Sequence, residues 1–282
     1  MRETGGRRIE MIGTPIDHVR TPDLLNRLFE REGQALRVVK KRLGPVALGR
    51  HVEALRRSGD VAGLVVTTPL KSGICAHLDR RTPLVRLLGA ANCIRFDGDS
   101  WIGANFDGHG FEAAVRAAGL ELAGRRFLLA GSGGAGTAIA ARIVGAGAAA
   151  LTIIDSDSGK VTDFLQALRR LARGCVLGDA VAGKARYDIL VNATPLGMNR
   201  GDPSPFAPGI VRDAGAVVDI VIAEQPSRLR RDAERFGRTF VEGTAMVQGQ
   251  VELFRRFLTT SATSEAALSR AAAKASGRGA PG

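Results

Sequence analysis

The chain has little of what would tie it to several protein classes. Only three of its 282 residues are cysteine, Cys75, Cys93 and Cys175. They are odd in number, widely spaced and without a C-x-x-C pair, which excludes a disulfide framework and a structural zinc site. Aromatic residues make up 5%, with one Trp and one Tyr, so there is no stacking platform for single-stranded nucleic acid. No apolar run is long enough for a signal peptide or a membrane span; the most apolar stretch, "IVGAGAAALTII", is short and interrupted by glycine. Acidic residues are also few, 28 against 40 Lys and Arg, for a net charge of +12. The basic residues are scattered in pairs such as Arg56-Arg57 and Arg169-Arg170. That reads as general arginine richness and attraction for small anions rather than a nucleic-acid surface. These readings point to a cytoplasmic protein that engages neither nucleic acid nor a membrane, binds no metal, and leaves a homodimer open.

What is present is an alternation of strand and helix signals. "RRIEMIG" (7–13), "QALRVVKKRL" (34–43) and "VAGLVVTTP" (61–69) read as strands. "TPDLLNRLFEREG" (21–33), with a cap-like Thr21, and "LGRHVEALRRSG" (48–59) read as helices. The second half repeats the pattern: 126–148 reads as a strand, a glycine-rich turn and a small-residue helix, with further strands at 150–155, 187–194 and 216–222. Such alternation predicts α/β architecture with mostly parallel sheets. We expect two domains: a substrate-binding domain (1–108) and a Rossmann-like dinucleotide-binding domain (109–243). A C-terminal helix (244–262) that packs back on the first domain and a disordered tail (263–282) follow.

Two stretches carry chemistry. In "GLVVTTPLK" (63–71) a buried apolar strand ends in hydroxyls and then a lysine. Lys71 is either a solvated residue opening the next segment or a proton-handling group at a strand end facing a cleft. Gly131-Ser132-Gly133-Gly134-Ala135-Gly136 fits G-x-G-x-x-G between a predicted strand and helix, where free amides and the helix dipole favour a pyrophosphate. Asp155 ends the next strand, where an acid would accept the ribose hydroxyls. With two acids and no arginine in "DSDSG" (155–159), a 2′-phosphate would face carboxylates, so the expected cofactor is NAD, with NADP less favoured.

In order along the chain, "GTPIDHVRTP" (13–22), "VVTTPLK" (65–71), "GAANCI" (89–94), "GANFDG" (103–108), "GSGGAG", "NATPLGM" (192–198), "VVDIVI" and "GTAMVQGQVELF" (243–254) resemble blocks of the shikimate/quinate dehydrogenases. The resemblance implies a cytoplasmic oxidoreductase of aromatic amino acid biosynthesis. It would transfer a hydride between nicotinamide and a ring hydroxyl of a shikimate- or quinate-like acid. It makes Lys71 and Asp107 the catalytic pair, since oxidising an alcohol removes a proton from oxygen as hydride leaves carbon. It assigns Thr67, Asn92 and Gln250 to ring hydroxyls, and Thr21 to the substrate carboxylate beside Val19, where the family has serine. Gly131, Ser132, Gly133, Gly134, Ala135, Asp155, Thr194, Gly243 and Met246 fall to the cofactor. The sequence departs from the family at Val19, Val65, Phe106 and Ile222, each time losing a polar group. Arg20 and His18 are the nearby cations that could compensate. Those departures keep open a relative acting on another cyclic polyol or a carboxylate-poor substrate. A non-catalytic NAD-binding protein is the remaining alternative.

Overall fold

A computed structural model describes residues 7–17, 19–172, 174–181 and 186–260. His18 and the expected tail at 263–282 lie outside the described residues. The chain divides into two compact units, one running to Phe106 and resuming at Gln250, the other Asp107–Gly249.

The first unit runs β1 (Arg7–Gly13), α1 (Thr21–Arg31), β2 (Leu36–Arg42), α2 (Pro45–Ser58), β3 (Val61–Val66), a 3₁₀ turn (Gly73–His77), β4 (Arg80–Arg81), α3 (Pro83–Leu88), β5 (Cys93–Asp97) and β6 (Ser100–Ala104). Its six strands are ordered β2-β1-β3-β5-β6-β4. All six residues of β3 are buried because the sheet is covered on both faces. Val65 faces a core with Leu25 and Phe29 of α1, whereas Leu64 and Val66 face one with Leu48, Val52 and Leu55 of α2. A central strand covered twice must be apolar throughout, which is why its first polar side chain is Thr67. Helix α1 starts at Thr21 itself with Pro22 behind it; the cap position falls on Arg20, which makes no side-chain capping bond. The sheet is not wholly parallel. β5 runs antiparallel to β3 and to β6, joined by a turn whose Gly98 has φ of 59°.

The second unit runs α4 (Asp107–Ala117), β7 (Arg126–Ala130), α5 (Gly134–Gly145), β8 (Ala150–Ile154), α6 (Ser158–Leu168), β9 (Val176–Gly178), β10 (Ile189–Asn192), α7 (Pro208–Asp213), β11 (Ala216–Asp219), α8 (Arg228–Arg235) and β12 (Thr239–Glu242). Among the described residues all its strand pairs are parallel, in the order β12-β11-β10-β7-β8-β9. The order reverses between β10 and β7, the point where open α/β sheets bind ligands at the carboxyl ends of their strands. Helix α9 (Gly243–Thr259) starts in this unit, and its last turns belong to the first. There Phe254, Phe257 and Leu258 enter the α1-side core, and the buried Arg95 guanidinium donates to the Thr260 carbonyl at 2.8 Å. The α/β class expected from the sequence is the one observed.

Candidate active site

In the first unit, backbone hydrogen bonds gather the predicted substrate residues around the stretch 90–92. Val66 N–H donates to the Asn92 carbonyl (2.8 Å), Ala91 N–H to the Lys71 carbonyl (2.8 Å) and Asn92 N–H to the Ala104 carbonyl (3.0 Å). The end of β3, the Lys71 loop and the end of β6 are thereby fixed to one strand start. Thr67 and Lys71 are half-buried. Both X-Pro peptides nearby, Thr14-Pro15 and Thr68-Pro69, are cis, and Thr14 N–H donates to the Thr68 carbonyl at 3.0 Å.

Asn92 is the most informative side chain here. It is 1% exposed, and its Oδ1 accepts from Phe106 N–H at 3.0 Å. Among the described residues its Nδ2 is enclosed without a hydrogen-bond partner. An orphaned amide donor costs about 1–3 kcal/mol, and an oxygen of a bound ligand would satisfy it. Asp107 follows Phe106 directly, is 3% exposed and opens α4. Thr21 is buried at the start of α1, and Gln250 is buried on α9.

The departures from the family pattern have a common fate in this unit. Val19, Val65 and Phe106 all lie in the α1-side core. The Phe106 ring packs edge-on against Phe254 (5.8 Å) and Phe257 (5.7 Å). Its side chain has become core, while its backbone N–H still orients Asn92. Arg20 is exposed.

In the second unit the glycine-rich loop bridges β7 and α5. Gly131 has φ of 100°, and a Cβ there would lie 2.7 Å from the Ala193 carbonyl carbon. Only glycine allows this crossing, which brings the end of β10 against the loop. Gly133 is the cap of α5 and provides no side-chain capping bond. It is exposed with open space above its Cα, so the first-turn amides face outward and fit an anion. Ser132 is buried, Gly134 and Ala135 half-buried.

Asp155 is occupied inside this loop. Its Oδ2 accepts from the Ser132 amide (2.6 Å) and hydroxyl (2.8 Å), and its Oδ1 from the Ser156 hydroxyl (3.2 Å) and the Asp157 amide (3.1 Å). Burial opposes its charge, but these four bonds outweigh it and hold the carboxyl below its ordinary range. The cap of α6 is Asp157, whose side chain accepts from Lys160 N–H. The carboxylate of Asp155 therefore anchors the loop.

At the other side of the switch point Thr194 donates from both its N–H (3.0 Å) and Oγ (2.7 Å) to the Asn192 side-chain oxygen. Gly243 and Met246 are buried at the start of α9. Ile222 lines a cavity of roughly 110 Å³ with Asp219, Ser227, Arg230, Glu242 and Gly243. Asn192 and Asp219, both fully enclosed strand-end polar residues, escaped the sequence reading. Their signal was a single polar residue closing an otherwise apolar strand. Among the described residues no cluster could hold a metal ion and no helix is long and apolar enough to cross a membrane.

Residues 11–94 match the family model described as the shikimate dehydrogenase substrate binding domain. The shikimate dehydrogenase (NADP(+)) of Rubrobacter xylanophilus is 37% identical over 85% of this chain and 86% of its own. Among solved structures, the shikimate 5-dehydrogenase of Thermus thermophilus in complex with NADP(H) and shikimate is 28% identical, with a TM-score of 0.79 over 95% of this chain and 99% of that one. The 5-ketofructose reductase of a Gluconobacter strain is 25% identical, with a TM-score of 0.77 over 95% and 98%. The expectation of NAD is corrected by the curated relatives, each of which, down to 31% identity, is named for NADP(+). The Asp155 carboxylate on which that expectation rested keeps its charge but is engaged by four donors from Ser132, Ser156 and Asp157. The ordered motifs, the fold and these relatives agree: the chain belongs to the shikimate dehydrogenase family, a family of oxidoreductases.

Proposed function

We propose that the protein catalyses reversible, NADP-linked oxidation of a ring hydroxyl in a shikimate-like alicyclic acid. The first unit binds the substrate and the second the dinucleotide. The observation that carries this reading is the orphaned Nδ2 of Asn92, a buried donor held beside the Lys71 loop by a backbone network and suited to a substrate hydroxyl. Thr67 and Gln250 add hydroxyl and amide partners, and Thr21 a donor for the carboxylate.

Bound NADP supplies the hydride acceptor. The chain supplies the proton path: Lys71 takes the hydroxyl proton as hydride leaves the adjacent carbon, and returns it in the reverse direction. Asp107, its partner in the pair that the family resemblance implies, orients that side chain. The amides of Gly133 and Gly134 face the pyrophosphate, and Ser156 on the turn after β8 and Lys160 in the first turn of α6, both exposed, meet the 2′-phosphate.

A second reading is favoured by Val19, which puts an apolar core side chain where the family has a carboxylate-binding serine. The structural likeness to a 5-ketofructose reductase points the same way. In that reading the substrate is a polyol or ketose without a carboxylate. The test follows NADPH absorbance with NADP and shikimate, quinate or a carboxylate-free cyclohexane polyol, with Lys71→Ala as control. Turnover of shikimate that Lys71→Ala abolishes supports the first reading, and turnover confined to the polyol supports the second. NADPH binding without turnover of any of them contradicts both.

A further inference from the structure

We propose that Asp219 is a positioning residue for the nicotinamide end of the dinucleotide, acting through Asn192 and the turn at Val221 without touching the cofactor. The inference rests on the reading that this unit binds NADP. Asp219 ends β11 and pairs in register with Asn192, which ends β10. Phosphates at the glycine loop and Asp155 beyond β8 place the adenine half on one side of the switch point. The ends of β10 and β11 therefore lie on the nicotinamide side.

One buried carboxylate organises three segments there. Its Oδ1 accepts from Asn192 Nδ2 (2.9 Å) and Val221 N–H (3.1 Å), and its Oδ2 from the Ser227 hydroxyl (3.0 Å). Ser227 in turn caps α8, accepting from Arg230 N–H at 3.1 Å. Asn192 Nδ2 also donates to the Leu196 carbonyl at 2.9 Å, while its Oδ1 takes both donors of Thr194. Flipping this amide would set its NH₂ against two donors and its oxygen against a carbonyl and a carboxylate. Asp219 thus fixes the orientation of Asn192, and Asn192 fixes Thr194.

The same carboxylate fixes the turn leading to Ile222 and borders the cavity described above. Burial pushes its pKa up, opposed by the bonds from Val221, Ser227 and Asn192. Keeping a carboxylate here is costly, and an apolar residue would serve packing as well or better. A role in presenting polar wall residues accounts for the cost.

The test measures dissociation constants of the full-length protein for NADPH and for 2′,5′-ADP, which has the adenine-side phosphates and no nicotinamide. Asp219→Ala is expected to weaken NADPH about tenfold, the loss of hydrogen bonds to a charged group, and to leave 2′,5′-ADP within about twofold. Asp219→Asn, whose oxygen can still accept from Asn192 and Val221 while its NH₂ donates to Ser227, is expected to restore NADPH binding. If Asp219→Ala does not fold, Asn192→Ser breaks the same relay with a smaller lesion, and the same split is expected. Equal weakening of both ligands, or of neither, overturns the proposal. A wild-type protein that binds neither ligand overturns the dinucleotide reading itself.

Discussion

The two units hold their candidate residues by different means. In the second, polar strand-end side chains fasten one another: Asp155 the glycine loop, Asp219 and Asn192 the Thr194 turn. In the first, the equivalent work is done by backbone hydrogen bonds and apolar packing, with Val19, Val65 and Phe106 buried in one core. Three of the four departures from the family pattern fall in the first unit. On the proposed function, the dinucleotide side keeps its polar fastenings, while the substrate side carries apolar core residues at three positions where the family pattern is polar. Cofactor chemistry constrains many polar groups at once, whereas a substrate pocket can change with single side chains.

The largest expected effect breaks the comparison at its reacting atoms. Lys71→Ala should lower kcat by about 10³-fold, within the range for general acid–base groups, and leave the NADPH dissociation constant unchanged. A loss of cofactor affinity of the same size would mean that Lys71 serves the wrong unit. Next is Gly131→Ala. Its φ of 100° and the Ala193 backbone at 2.7 Å leave no room for a methyl. Strain of about 1–3 kcal/mol should raise the NADPH dissociation constant roughly 10- to 100-fold, as fluorescence titration would report. Asn92→Ala should reduce kcat/KM for the substrate by about tenfold with cofactor binding intact. An unaltered kcat/KM would remove Asn92 from the site.

The last effect concerns stability in the second unit. Burial chiefly, and then the nearby Arg142, lower the His109 pKa to about 4, with Glu112 opposing. The unfolded chain takes up that proton near 6.5, so stability is flat above that value and falls as pH drops from 6.5 toward 4. The slope from this one proton approaches at most about 1.4 kcal/mol per pH unit. Thermal midpoints measured across that window should flatten in His109→Gln, and an unchanged slope would locate the titration elsewhere.

Much of this was legible in sequence because it rests on glycine and on strand periodicity. The G-x-G-x-x-G turn required its strand and helix, and the apolar run before Thr67 announced a doubly covered strand. The β5–β6 hairpin was missed although Asp97-Gly98 is a standard turn signal, because expectation was set on parallel connections. Asp155 was read for its charge and as an acceptor of ribose hydroxyls. The four donors that satisfy it come from Ser132, Ser156 and Asp157, and only folding makes Ser132 a neighbour. Phe106 was read as a lost polar contact, whereas its ring belongs to the core and its amide to Asn92.

The most direct test of the proposed substrate site is the initial rate of NADP reduction against shikimate concentration, for the wild type and for Val19→Ser. The account predicts that the added hydroxyl lowers the KM for shikimate by about tenfold, one hydrogen bond to a carboxylate, with kcat and the KM for NADP unchanged. An unchanged shikimate KM, or a shift in the KM for NADP instead, would contradict it.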